Sequence, residues 1–268
     1  MITSFRMYNA GPRAEAAWRA LFTRVFRDAG AEVEIVQHGF PAPIDALWSD
    51  PDLCCAFMCG WPFMRSAEGQ QAIAAPVPSP PRYEGLPRYC SDYVVRAASG
   101  WNSLEETFGH RFGWMSANSH SGFNAPRAHL AGLVAAERPS LFREVSGPLG
   151  APMTTLTALR EEKVDVVALD SFWLDLLRYH HPEKWEGLRV VGSTPWTAIP
   201  LLVAARGVDP TIVARLRDFL VALDGDSSYR PLLRETLVAR FVSPPLETYG
   251  CLEAMAQEAT SRGYAAIR

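Results

Sequence analysis

The spacing of apolar positions switches repeatedly between short strand-like runs and longer helical ones. Residues 2–8 read as a first strand ending at Met7-Tyr8-Asn9, and Ala10-Gly11-Pro12 supplies a turn. Over residues 13–29, Ala17, Trp18, Leu21, Phe22, Val25 and Phe26 recur on one helical face, and Gly30 follows at a C′-like position. Val33–Val36 alternates as a second strand, a short helix is expected near Pro43–Trp48, and Leu53–Met58 is an apolar run suited to a buried strand. It runs into a turn at Cys59-Gly60-Trp61-Pro62. Strand, helix, strand, helix, strand is the order of a parallel α/β sheet.

The pattern continues with a strand at 72–75, a proline-rich loop over 76–87 and a strand at 91–98. A second α/β set follows: strand 112–117, helix 123–136, strand 142–145, helix 152–163, strand 164–169, helix 171–180 and strand 188–191. Residues 199–205 read as one more buried strand. Asp209-Pro210 opens a helix to about 223, with Asp209 as N-cap and Pro210 in the first helical position. The remainder is expected to be mostly helical, broken at Ser243-Pro244-Pro245.

Composition narrows the classes. The 268 residues are 48% hydrophobic and 21% charged, enough for a large core, and the net charge of -3 gives no basic surface for nucleic acid or an anionic membrane. No apolar run is long enough to span a bilayer, so membrane insertion is not expected. Met1–Arg6 lacks a secretory signal; the compartment is periplasmic if a leader has been removed and cytoplasmic otherwise. Cys54, Cys55, Cys59, Cys90 and Cys251 fit neither a disulfide framework nor a zinc pattern, and most are expected to be buried. No cofactor or metal is indicated.

The candidate chemistry lies in Ser116-Ala117-Asn118-Ser119-His120-Ser121-Gly122. A strand that ends in hydroxyl and amide side chains and enters a helix makes an anion cradle, because the first N–H groups of a helix lack intrahelical partners and carry partial positive charge. Ser119 and Ser121 add hydroxyl donors, and Gly122 has no side chain to hold a ligand away from the backbone. The plain alternative is an ordinary N-cap. In parallel α/β sheets ligands sit beyond the carboxyl ends of strands. Here those ends are Tyr8 and Asn9, Gly60 and Trp61, Asn118 to Gly122, Asp170, and Thr194.

These residues and their order resemble the phosphate/phosphonate-type solute-binding proteins of ABC transporters, which have the type II periplasmic-binding-protein fold. The matching phrases are Met7-Tyr8-Asn9, Cys59–Pro62, Ser91–Arg96, Asn118–Asn124, Val164–Asp170, and Thr194 with Pro200-Leu201-Leu202. The resemblance implies two lobes, each a mostly parallel sheet flanked by helices, with a ligand cleft between them. Lobe one would be 1–97 plus 197–268 and lobe two 98–196, with hinge crossings near 98–100 and 195–197. Ser119 and Ser121 match the family's serine-rich turn, Asp170 matches an acidic residue at the ligand's far side, and Ser91 falls in a matching strand. The departure is Pro152, which stands where members of the family usually have a histidine opening a helix. A carboxylate or sulfonate with an apolar body is therefore as reasonable a ligand as a phosphonate.

Taken singly, His120 either donates to an anion or faces solvent, Trp61 either stacks on a ligand or belongs to the core, and Asp170 also suits the N-cap of helix 171–180. Arg96 is expected to pair with a carboxylate, and His180-His181 to be solvated surface. The function expected is a non-catalytic, monomeric binding protein for a small anionic ligand, serving an ABC-transporter permease or a sensor. The alternative is an enzyme on the same fold, but no nucleophile elbow or phosphate loop supports it.

Overall fold

The computed structural model describes residues 1–67, 69–135 and 139–268. They divide into two compact units. The first comprises Met1–Arg88, Asp175–Pro182 and Ala198–Glu247; the second comprises Tyr89–Leu174, Glu183–Thr197 and Thr248–Arg268.

The first unit is built on a six-stranded sheet in the order Val238–Val242, Gln71–Pro78, Leu201–Ala204, Leu53–Met58, Ile2–Ser4, Glu34–Ile35. Ile2–Ser4 pairs in parallel with both neighbours, while Leu201–Ala204 lies antiparallel to both of its own. The helix Pro12–Asp28 buries Trp18, Leu21, Phe22 and Val25 along one face, as its apolar spacing requires. Trp18 and Phe22 join Phe5 and Phe57 in an aromatic cluster, with the Phe5 and Phe22 ring centroids 4.3 Å apart. Such rings dominate the apolar area a core removes from water.

The second unit has a five-stranded sheet in the order Leu188–Ser193, Ser91–Arg96, Val166–Asp170, Arg111–Gly113, Glu144–Ser146. Ser91–Arg96 is antiparallel to both neighbours, and the other two pairings are parallel. Its core contains Tyr93, Phe112, Leu130, Phe142, Val166, Tyr264 and Ile267.

The sheets are thus mixed rather than mostly parallel, and the cause is topological. Each reversed central strand, Leu201–Ala204 or Ser91–Arg96, comes just after the chain has passed from one unit to the other. Neither needs the helical crossover that makes neighbouring strands parallel.

Three allocations differ from the sequence reading. Ser91–Arg96 lies in the second unit because it pairs with Val166–Asp170, so the first passage falls at Arg88–Tyr89. The C-terminal segment also joins the second unit: Arg127 donates to Ala256 O and Ala265 O, and Leu141 N–H donates to Arg268 O at 2.8 Å. Residues 175–182 join the first unit, where Tyr83 OH donates to Asp175 Oδ2 at 2.7 Å and Arg13 donates to His180 O.

His180 and His181 are buried rather than solvated. His180 Nε2 is 2.7 Å from Glu235 O, and the His181 ring lies so close to Gly11 that a Cβ there would meet Nε2 at 2.5 Å. With φ at +135°, Gly11 has two reasons to be glycine. The strand Val238–Val242 falls in a stretch expected to be helical. The helix expected over 123–136 ends at Ala131, and residue 136 itself lies outside the described residues. No helix among the described residues is long and apolar enough to cross a membrane.

Candidate functional site

At one end of the second sheet, three helix starts and four strand ends meet. After Arg111–Gly113 the chain reaches Met115, whose N–H donates to Gly122 O at 3.1 Å and whose carbonyl accepts from Gly150 N–H at 2.8 Å. One residue therefore anchors both the helix entered at Ser119 and the helix Pro152–Arg160. The strand Val166–Asp170 runs parallel to Arg111–Gly113, so Asp170 emerges at the same end. Ser91 stands opposite Asp170 in the antiparallel register, and Ser91 N–H donates to Thr194 Oγ1 at 2.9 Å.

The cradle is a helix start with a widened first turn. Residues His120–Asn124 form a π turn that leads into the α-helix Ala125–Ala131. Ser119 is the N-cap, and its Oγ accepts from Gly122 N–H at 2.8 Å. That cap satisfies one of the helix's first donors and leaves its neighbours without intrahelical partners. π turns recur at functional sites because they re-aim backbone groups. Ser121 is nearly buried, and its hydroxyl has no partner among the described residues. Ser91 Oγ is likewise buried without a hydrogen-bond partner among the described residues, which a native interior seldom tolerates without a purpose.

At two positions the surroundings add to what the sequence suggests. Gly122 has a packing reason to be glycine: a Cβ there would meet Met115 Cβ at 2.5 Å and Ser119 Oγ at 3.0 Å. His120 does not face solvent. The ring is 1% exposed, with Nδ1 at 3.2 Å from Asn124 Nδ2 and Nε2 at 3.3 Å from Thr197 Oγ1.

Asp170 caps the helix Ser171–His180, its Oδ1 accepting from Phe172 N–H at 2.8 Å and Trp173 N–H at 3.0 Å. Asn118 is exposed beside the cradle, and Thr194 is buried with its hydroxyl oxygen on Ser91 N–H. Pro152 occupies the first position of its helix, and Thr154 Oγ1 accepts from Ala151 N–H at 2.9 Å. None of these residues is cationic. An anion at this end of the sheet would therefore be met by hydroxyls and N–H dipoles.

Tyr8, Asn9 and Trp61 belong to the first unit. Tyr8 is wholly buried against Phe57, centroid to centroid 4.8 Å, and Asn9 spends its amide on Gly11 N–H and Glu15 at the start of Pro12–Asp28. Trp61 is buried in the helix Gly60–Arg65, with Arg65 over its ring at 4.9 Å. Asn124 and Thr197, which hold His120, were not singled out from the sequence. The i, i+4 spacing of His120 and Asn124 was the available signal for the first; nothing local marks the second.

Burial holds the His120 imidazole neutral, its pKa lowered to about 3. An unfolded histidine takes its proton near pH ~6.5. Stability from this group is thus fully present above that pH and declines as pH falls towards 3, with nearly one proton separating the two states. His129, also depressed by burial, adds in the same direction. Urea titrations between pH 7 and pH 4 are expected to show a clear loss of stability, and His120→Gln to flatten it. Equal slopes for the two proteins would refute the assignment.

A family model described as ABC transporter, phosphonate, periplasmic substrate-binding protein matches residues 8–249. The chain belongs to this family. Its members are substrate-binding components of transporters and not enzymes, and they are normally periplasmic. Membership implies a small-molecule ligand and transporter components as partners. Among solved structures the chain is similar to a Prochlorococcus marinus protein in complex with methylphosphonate, at 17% identity and a TM-score of 0.74 over 97% of each chain. It is similar to a binding-protein component of an ABC phosphonate transporter from Pseudomonas aeruginosa, at 17% identity and a TM-score of 0.73 over 98% of this chain and 96% of that one. A Xanthomonas citri protein bound to ATP is 18% identical, with a TM-score of 0.63 over 97% of this chain and 98% of that one. Likeness at these identities establishes the fold, the type II periplasmic-binding-protein fold expected from the sequence. No curated protein sequence matches significantly.

Proposed function

We propose that this chain binds a small oxyanion at the cradle, through Ser121, the free N–H groups of the widened turn and Ser91, and presents it to an ABC-transporter permease. The observation that carries the reading is the Ser119-capped turn, with a buried neutral histidine behind it and an uncommitted Ser121 hydroxyl. A phosphonate or phosphate suits this array of dipoles. A carboxylate or sulfonate with an apolar body suits it as well, because Pro152 stands where the resemblance places a histidine donor. Tyr8 and Trp61, though buried, remain the first unit's candidates for the ligand's apolar side, and Asn9 is a weaker one because its amide is committed. Binding as a monomer, with a periplasmic site of action, completes the reading.

Calorimetry with methylphosphonate, phosphate, ethanesulfonate and butyrate tests it. Ser121→Ala is expected to weaken binding of the preferred anion at least tenfold with little change in stability, the loss of a hydrogen bond to a charged group being about 1.5–3 kcal/mol. Ser119→Ala is expected to lose affinity and also about 1 kcal/mol of stability, because it removes the cap. Wild-type binding that survives in both variants would place the ligand elsewhere.

A further inference from the structure

The hydrogen bonds around His120 determine its tautomer. Asn124 Oδ1 accepts from Arg127 Nη2, and Asn124 Nδ2 donates to Leu252 O at 3.0 Å, which fixes the orientation of the amide. The group facing His120 Nδ1 is therefore the amide N–H₂, a donor with no lone pair to offer. Nδ1 must accept, the ring proton must sit on Nε2, and Nε2–H must donate to Thr197 Oγ1. Both ring nitrogens are satisfied only by this neutral form.

The two ends of the chain of bonds have a particular place in the fold. Thr197 is the last residue of the second unit before the chain passes to Ala198, and Leu252 lies just after the chain returns at Thr248. The cradle residue His120 is thus tied to both of those passages through one imidazole and one amide.

We infer that His120 is a positioning residue, a neutral Nε2–H bridge that holds the conformation of the anion cradle to the chain passage at Thr197. A shorter hydroxyl side chain could not reach both Asn124 and Thr197. An imidazolium would turn an N–H of the ring against the N–H₂ of Asn124. The consequence for ligand affinity rests on the anion-binding reading above; the consequence for the cradle's own conformation does not.

The test uses the full chain and starts without ligand. Long-range ¹⁵N–¹H spectra of the wild type are expected to show His120 as the Nε2–H tautomer, unchanged between pH 8 and pH 5. Thr197→Val removes the acceptor at constant shape and is expected to speed amide exchange at Gly122 and Asn124 at least tenfold, while Val167 in the sheet is unaffected. Thr197→Ser should restore the wild-type rates. An Nδ1–H tautomer, cradle exchange unchanged in Thr197→Val, equal acceleration at Val167, or failure of Thr197→Ser to restore the rates would each overturn the inference. Methylphosphonate affinity, read in parallel, is expected to fall about tenfold in Thr197→Val. Absence of binding to the wild type would count against methylphosphonate as ligand and leave the exchange result to decide the role of His120.

Discussion

Gly122→Ala is expected to abolish ligand binding and to cost about 1–3 kcal/mol of stability, the usual range for forcing extra volume into a packed site. The added Cβ would lie 2.5 Å from Met115 Cβ and 2.9 Å from Met115 Cε. Real carbons do not approach so closely, and because the first contact is with a Cβ, a change of rotamer cannot relieve it. The backbone must separate, and the bond that stretches is Met115 N–H to Gly122 O. Met115 also holds the start of the helix Pro152–Arg160 through Gly150, so both helix starts shift together. Urea unfolding and calorimetry on the same sample check this, and a variant that binds as well as wild type would show that the close approach to Met115 is not needed for the site.

Asp165→Ala is expected to lower stability by about 3 kcal/mol without touching the cradle, at the lower end of the cost of breaking a buried ion pair. The carboxylate accepts from Arg111 Nε at 2.9 Å, Arg111 Nη2 at 2.8 Å, Arg111 N–H at 3.1 Å and Arg96 Nη2 at 3.0 Å. Removing it leaves two guanidinium groups facing each other, with Arg96 still bound to Leu159 O and Val164 O. Hydrogen bonds from Arg111 hold the Asp165 carboxyl well below the usual carboxylate range. Its contribution is therefore complete above pH ~4 and lost as pH falls below that. The gap in urea midpoint between wild type and variant should be widest near neutrality and narrow under strong acid. A gap independent of pH would mean that packing, not charge, is what Asp165 supplies.

How much could be read from sequence depended on how local the cause was. Leu53–Met58 and Ser171–His180 came out to the residue because continuous burial and apolar spacing fix them. The pairing of Arg96 with a carboxylate was legible because an arginine on a buried strand cannot stay unpaired, although its partner could not be named. Features set by distant contacts were not legible. Val238–Val242 is a strand because it borders Gln71–Pro78, a pairing no local pattern records. That His120 is buried rather than solvent-facing was hidden because its burial depends on Thr197, far away in sequence. His180 and His181 looked like surface for the same reason, their partners being Glu235 and Gly11. Ser119, Ser121 and Gly122 were readable as a helix start, but why the glycine is needed became clear only with Met115 in view.

The contribution of the C-terminal segment to the second unit has a bearing on how the chain emerges during synthesis. Tyr264 and Ile267 complete the core that Leu130, Leu141 and Phe142 begin, and Arg268 closes it through bonds to Leu141 N–H and Pro139 O. Translation is vectorial, and a domain can fold only once its last packing residue has left the ribosome. The second unit's apolar face must stay uncovered while residues 198–247 are still being made. A nascent chain of this design leaves that face open to chaperones that bind exposed apolar segments until residues 248–268 have been made.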